Sequence, residues 1–204
     1  MSGSAVLSRV HRSNAVMTST QSTRIRRRRS DAIDNERRVR AAAMSVFERR
    51  GHAMTMDDVA QEAGVSKGTV YNTYGSRTEL VDDTTVRFLE QAERHYRAAA
   101  ERPSAWDALL EVVLTPTIGV AANAEVLDPD AKDGPVKDAF TRLCAALEDL
   151  LERGKAEGTI RPEITVEMMK ILFRGLYLVL PEYSLERAAV AREYGMIILR
   201  GLHT

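Results

Sequence analysis

Met56-Asp57-Asp58-Val59-Ala60-Gln61-Glu62-Ala63-Gly64-Val65-Ser66-Lys67-Gly68-Thr69-Val70-Tyr71-Asn72-Thr73-Tyr74 is the stretch whose reading decides the fold. Val59, Ala60 and Ala63 share one helical face, Thr55 stands just ahead as an N-cap, and Asp57 and Asp58 complement the positive end of the helix dipole. Gly64 stops this helix, since glycine takes left-handed backbone without a Cβ penalty. Ser66 then caps a second helix predicted over 67–74. Val65 and Val70 fill the angle between the two, and Ala60 is small where they cross. The pattern is a helix-turn-helix.

The second helix opens with Ser66, Lys67, Gly68 and Thr69 and continues with Tyr71, Asn72 and Thr73, all short or polar. A helix N-terminus presents free N–H groups and a positive dipole end. It therefore sits well against phosphates while its first turns reach base edges in a major groove. A helical hairpin inside an ordinary all-α core, with these polar residues merely facing water, is the competing reading, and the number of agreeing motif positions favours DNA.

Working outward, Gly51-His52, Met54-Thr55, Val59-Ala60, Ala63-Gly64-Val65-Ser66, Gly68-Thr69-Val70-Tyr71, Tyr74 and Ser76-Arg77-Thr78-Glu79-Leu80 resemble the N-terminal signature of the TetR family of one-component bacterial repressors. The resemblance runs from about Asn35 to Val81 without a gap. Tyr74 stands where the family usually has phenylalanine, and Arg77 where it usually has lysine. The first keeps an aromatic plug, and the second keeps a cation aimed at a phosphate, now with a two-pronged donor. The resemblance implies an all-α protein with an N-terminal three-helix DNA-binding domain and a larger C-terminal helical domain for ligand binding and dimerisation. It further implies a homodimer on a palindromic double-stranded operator, released by a small-molecule effector, with no cofactor and no metal. The expected DNA-binding set is Thr55, Ser66, Lys67, Gly68, Thr69, Tyr71, Asn72, Tyr74 and Arg77, Thr55 serving both as cap and as phosphate ligand.

Charge is distributed accordingly. The chain of 204 residues is 28% charged with zero formal net charge, yet residues 1–80 hold 14 Lys/Arg against 8 Asp/Glu and residues 81–204 hold 15 against 21. A basic first part joined to an acidic second part fits a protein that touches nucleic acid with one end only. No run is apolar enough to span a membrane, no signal-peptide core is visible, and the lone Cys144 suits a reducing cytoplasm close to the nucleoid. Three regions are expected: a disordered basic arm over 1–30, a DNA-binding domain over 31–80 and a regulatory domain over 81–204. The arm carries Arg24, Arg26, Arg27, Arg28 and Arg29, which either follow phosphates or form a solvated charge run; Met17 offers an alternative start.

Periodicity supplies the remaining helices. Val39, Ala42, Ala43, Val46 and Phe47 stripe a first helix over 34–50, ended by Gly51, with Phe47 seating the helix-turn-helix. A long helix runs from Thr78 to about Arg102, before Pro103, and reads as a lever between the two domains. Ser104 caps a helix over 105–114, a short helix follows over 118–126, and Pro135 opens another that ends near Ala156. The loop Asp128-Pro129-Asp130-Ala131-Lys132-Asp133-Gly134 has Lys132 and Asp133 where a calcium loop needs an oxygen ligand and a glycine, so no metal is assigned to it.

Two final helices, over 166–180 after Thr165 and beyond the cap Ser184, are apolar on more than one face. The resemblance makes them the dimer interface, with Met169, Phe173, Tyr177, Tyr194, Met196, Ile197 and Leu199 in it. A buried central hairpin of a monomer is the alternative. An effector pocket would draw on Phe88, Trp106, Phe140 and Phe173 with His95, Tyr96 or Cys144 as polar handles, all of which serve equally well as packing. An enzyme finds no support: there is no nucleophile elbow, phosphate-cradling glycine loop or metal-spaced cluster, and the four histidines are scattered. An architectural or activator-type DNA-binding protein that responds to no ligand is the second alternative.

Overall fold

The computed structural model describes residues 32–114, 134–179 and 187–203, with the side chains of 176–179, 187–188 and 191 outside that description. Helix α1 covers 32–50, and a single 3-10 turn, Gly51–Ala53, leads to α2 (Met56–Ala63) and α3 (Lys67–Tyr74). Then come α4 (Arg77–Ala99), α5 (Ala105–Leu114), α6 (Pro135–Ala156), α7 (Val166–Val179) and α8 (Arg187–Leu202). The described residues form an all-α fold whose only strand-like feature is an isolated bridge between Ile160 and His203. The expected helix over 118–126, the 128–133 loop, the basic arm and Ser184 lie outside the described residues.

One apolar cluster holds α1 to α4 together. Val39, Ala43, Val46 and Phe47 of α1 meet Val59 and Ala63 of α2, Val70 and Tyr74 of α3, and Leu80, Phe88 and Leu89 of α4, all buried. Packing of three short helices against a longer one supplies what their isolated propensities lack. Ala139 of α6 completes this cluster, with Val136, Phe140 and Leu143 against it. The N-terminal core thus extends past residue 80, down α4 to Leu89.

The second cluster joins Leu109, Leu147, Leu151, Ile160, Ile164, Val166, Met169, Ile198, Leu199 and Leu202 from α5 to α8. Buried Gly154 of α6 makes this possible: its own chain passes so close to Ile160 that a Cβ would fall 2.6 Å from Ile160 Cγ1. Between the clusters, α4 and α6 share the most extensive packing among the described helices. Arg142 of α6 reaches Glu90 (3.4 Å) and Glu93 (3.2 Å) of α4 along its outer edge.

The long helix departs from expectation at both ends. Ser76 caps it, its hydroxyl accepting from Glu79 N at 3.1 Å, so helix begins at Arg77. At the far end Ala99 is the last helical residue, because residues 101 and 102 tighten onto the carbonyls of Ala98 (3.2 Å) and Ala99 (3.0 Å). Arg153 of α6 then donates to the carbonyl oxygens of Ala100 and Arg102, fixing the corner before Pro103.

Candidate nucleic-acid interface

Caps written into the sequence set the helix-turn-helix. Thr55 and Asp58 form a reciprocal capping box: Asp58 N donates to Thr55 Oγ1 (3.2 Å) and Thr55 N to Asp58 Oδ2 (2.9 Å). The Thr55 hydroxyl and backbone, with Arg50 beyond, hold the Asp58 carboxyl below its ordinary range. Gly64 closes α2 at φ +62°, and Arg38 of α1 donates to the Ala63 carbonyl at 2.6 Å, satisfying an orphan acceptor of the same helix end. Ser66 Oγ then accepts from Thr69 N at 3.3 Å to start α3.

Helix α3 consequently has two unlike faces. Val70 and Tyr74 point into the core, whereas Lys67, Gly68, Tyr71 and Asn72, at helical spacing, are exposed, with Ser66 beside them and Thr69 half-buried. Tyr71 is among the few large apolar-bodied side chains left open, at 45% exposure. Lys67 Nζ pairs with Asp57 Oδ2 at 2.8 Å, a contact that raises the ammonium pKa from its ordinary value. The turn that orients α3 continues at Gly75, φ +70°.

Three expected site residues sit differently. Tyr74 is only 4% exposed, with the Arg40 guanidinium 5.5 Å from its ring centroid, so it plugs the core and does not join the open face of α3. Burial raises its phenol pKa. Its buried hydroxyl lies beside that of Thr84, which donates to the Leu80 carbonyl at 2.6 Å. Arg77 donates to the carbonyls of Met54 (Nε, 3.0 Å) and His52, holding the 3-10 turn against the start of α4. Thr55 is part-buried and its hydroxyl also donates to Asp58 Oδ2 at 2.7 Å. His52, read as a loop surface residue, stacks 5.9 Å from Phe47.

The expected effector residues do not converge on one place. Phe88 packs 5.6 Å from Phe47 inside the N-terminal cluster, which corrects its assignment to a pocket; Phe140 packs against the same cluster. A helical stripe shows which residues face inward, not which core they face. Tyr96, Trp106, Cys144 and Phe173 do gather around the second cluster. Burial pushes the Tyr96 phenol and the Cys144 thiol up, and His95 Nε2 is buried with no hydrogen-bond partner.

The dimer set needs a similar correction. Met169 and Leu199 are 0% and 1% exposed and belong to the protomer's interior, and Phe173, Tyr194 and Met196 pack partly against it. Ile197 of α8 is 67% exposed, and Met168 (45%) and Ile171 (71%), one turn apart on α7, are also open. In helices apolar all round, composition does not say which side turns inward. The side chain of Tyr177 lies outside the described residues.

The model of the family described as bacterial regulatory proteins, tetR family, matches residues 39–84, which are α1 through the first turns of α4. The HTH-type transcriptional repressor KstR2 of Rhodococcus jostii is 28% identical over 177 residues, covering 78% of this chain and 87% of its own. Among solved structures, a TetR-family regulator from Agrobacterium tumefaciens superposes with TM-score 0.64 at 17% identity (85% and 100% of the two chains). A TetR regulator from Streptomyces coelicolor gives 0.60 at 23% (82% and 98%). The ketosteroid transcriptional regulator KstR2 of Mycobacterium tuberculosis gives 0.56 at 22% (83% and 95%). With its capped helix-turn-helix and one open polar face on α3, the segment 39–84 is the DNA-binding module described by the tetR-family model, and over most of its length the chain is similar to TetR-family transcriptional regulators.

Proposed function

We propose that the protein is a repressor that binds a palindromic operator as a homodimer and leaves it when a small molecule occupies its C-terminal helices. The carrying observation is the open face of α3: Lys67, Gly68, Tyr71 and Asn72 project from a helix whose opposite side is locked into the core. Ser66 and Thr69 flank the free N–H groups at its start. This combination reads base edges with the exposed side chains and steadies on phosphates with the helix N-terminus. In this reading residues 31–80, with the core they share down α4, engage DNA, and residues 81–204 regulate.

Homodimerisation rests on Met168, Ile171 and Ile197, apolar and uncovered on the two helices α7 and α8 that also pack on each other. A single recognition helix covers few base pairs, so a two-fold pair is what confers useful affinity. Effector binding rests on the aromatic side chains of Trp106, Tyr96 and Phe173, packed partly buried against the second cluster, and α4 links that region to α3.

The test is selection of bound fragments from random duplex DNA, followed by titration of the recovered sequence against wild type and Tyr71→Ala. Recovery of an inverted repeat, with at least tenfold weaker binding by the variant, supports the reading. Binding that prefers no sequence at moderate salt, or is indifferent to Tyr71, rejects it.

A further inference from the structure

Helices α7 and α8 carry the same outward pattern. Glu167, Ile171 and Arg174 on the first repeat the spacing of Glu193, Ile197 and Arg200 on the second, with the acid four residues before the isoleucine and the arginine three after it. Residues so spaced lie along one stripe of a helix, and all six are exposed. Each protomer therefore shows two stripes that run from negative through apolar to positive.

The charges on these stripes are largely unspent. Among the described residues Arg174, Glu193 and Arg200 have no ion-pair partner, and Glu167 meets only Lys170, at the long distance of 4.0 Å. Arg87, Arg97, Arg102 and Arg142, by contrast, each hold a carboxylate of their own protomer. Glu193 and Arg200 stand two turns apart, about 10 Å along the axis, so they do not satisfy each other within one helix.

The order of the charges fixes a direction of pairing. Two such stripes laid antiparallel, isoleucine opposite isoleucine, put each glutamate beside the other's arginine. Laid parallel, they put like charges together. A two-fold axis crossing the helix produces the antiparallel arrangement and makes both ionic contacts at once.

We propose that α8 meets α8 of a second copy antiparallel, crossing at Ile197, with Glu193 of each copy paired to Arg200 of the other, and that the α7 stripe meets its own counterpart alongside. This rests on the pairing through α7 and α8 proposed above and adds to it a register and a selectivity. A chain with similar apolar positions but a different order of charges is turned away by like-charge contacts. Selection of an identical partner keeps two identical recognition helices on one palindrome.

The experiment uses the full chain as wild type, Glu193→Arg, Arg200→Glu and the swap Glu193→Arg/Arg200→Glu, with dissociation constants from sedimentation in about 50 mM salt. Symmetry makes each single change act twice, so either single variant dissociates about tenfold more readily than wild type, the swap returns close to wild type, and the differences shrink in about 0.5 M salt. In native mass spectrometry a mixture of the two single variants gives heterodimer well beyond random pairing, because both of its contacts are then between opposite charges. The swap mixed with wild type gives mainly the two homodimers. Single variants that pair as tightly as wild type, or mixtures that pair at random, overturn this register and leave pairing through these helices standing. A wild-type chain that is monomeric at every concentration overturns both.

Discussion

Arg77, the first residue of α4, donates from Nε to the carbonyl oxygen of Met54 at 3.0 Å and from its second prong to that of His52. A single side chain therefore fastens the start of the long helix to the turn that enters the helix-turn-helix, 23 residues earlier. Lysine has one compact head and cannot take both carbonyls in this geometry. Arg77→Lys is expected to lose nearly as much stability as Arg77→Ala, about 1 kcal/mol in each case, for two charge-assisted bonds of which the one to Met54 is part-buried and the one to His52 exposed. Urea unfolding at neutral pH measures it; a lysine variant as stable as wild type would show that the fork is not used.

Gly154 and Ile160 make a second prediction. Since a Cβ on Gly154 would stand 2.6 Å from Ile160 Cγ1, Gly154→Ala must displace a side chain that is only 1% exposed. Overpacking of this kind costs about 1–3 kcal/mol. Ile160→Val removes Cδ1, the atom nearest that Cβ, and so relieves part of the strain while Cγ1 remains; Gly154→Ala/Ile160→Val is expected to be more stable than the sum of the two single changes by more than about 0.5 kcal/mol. Thermal or urea unfolding of all four proteins closes the cycle, and strict additivity would place the strain elsewhere.

Acid sensitivity follows from the capping box. The Thr55 hydroxyl, the Thr55 backbone and Arg50 depress the Asp58 pKa in the folded chain, whereas an unfolded aspartate titrates near ~3.9. The folded state thus binds the proton less readily than the unfolded one. The stabilisation is complete above the unfolded value and is lost as pH falls through the folded one. Asp58→Asn is expected to be less stable than wild type by about 1 kcal/mol at pH 7, the usual cost of an impaired N-terminal cap, and the difference shrinks progressively below about pH 4. Urea midpoints of both proteins between pH 7 and 3 test this, and a difference that stays constant with pH contradicts it.

These features differ in how far the sequence discloses them. The bounds of α3 and the left-handed turn at Gly64 were legible because their determinants, Thr55, Gly64 and Ser66, act within three or four residues along the chain. Ser76 does the same for α4 and stands in plain view, but the apolar stripe drew the start one residue too late. The other end of α4 depends on Arg153, 53 residues from Ala100, which no local pattern reveals. Phe88 and Met169 show a further limit. Their spacing declares them buried, and only packing tells that Phe88 meets Phe47 and that Met168, not Met169, is left open. Arg77 and Tyr74 were read for charge and aromaticity, and the first is held by carbonyls while the second is enclosed by α1 and α4.

The uncovered apolar positions give the association test. Ile171 and Ile197 are 71% and 67% exposed in their own protomer, so Ile171→Glu and Ile197→Glu leave the interior intact and are expected to keep wild-type helicity, with urea midpoints lower only by the stability that pairing adds. Met196 packs partly on the second cluster and is a poorer choice. In sedimentation both glutamate variants should run as monomers, with operator affinity at least a hundredfold lower because only one half-site can be held. A monomer that binds the full operator as wild type does would separate DNA recognition from pairing.

Lys67 offers the most direct reading of the interface, because its ammonium already has a partner. It pairs with Asp57 at 2.8 Å, and both side chains are well exposed, so the pair adds little to folding. If Lys67 meets a phosphate it must leave Asp57, and the carboxylate then repels the same phosphate. Lys67→Ala is expected to reduce the slope of log affinity against log salt by about one per half-site, without changing which operator sequence is preferred. Asp57→Asn should act oppositely, tightening binding severalfold at low salt while the slope stays as it was, since the number of phosphate contacts is unchanged and only the competitor is gone. Titrations from 50 to about 200 mM salt separate the two effects. Should Asp57→Asn weaken binding, the aspartate would be holding Lys67 in its working position, and the ammonium would reach DNA with that pair intact.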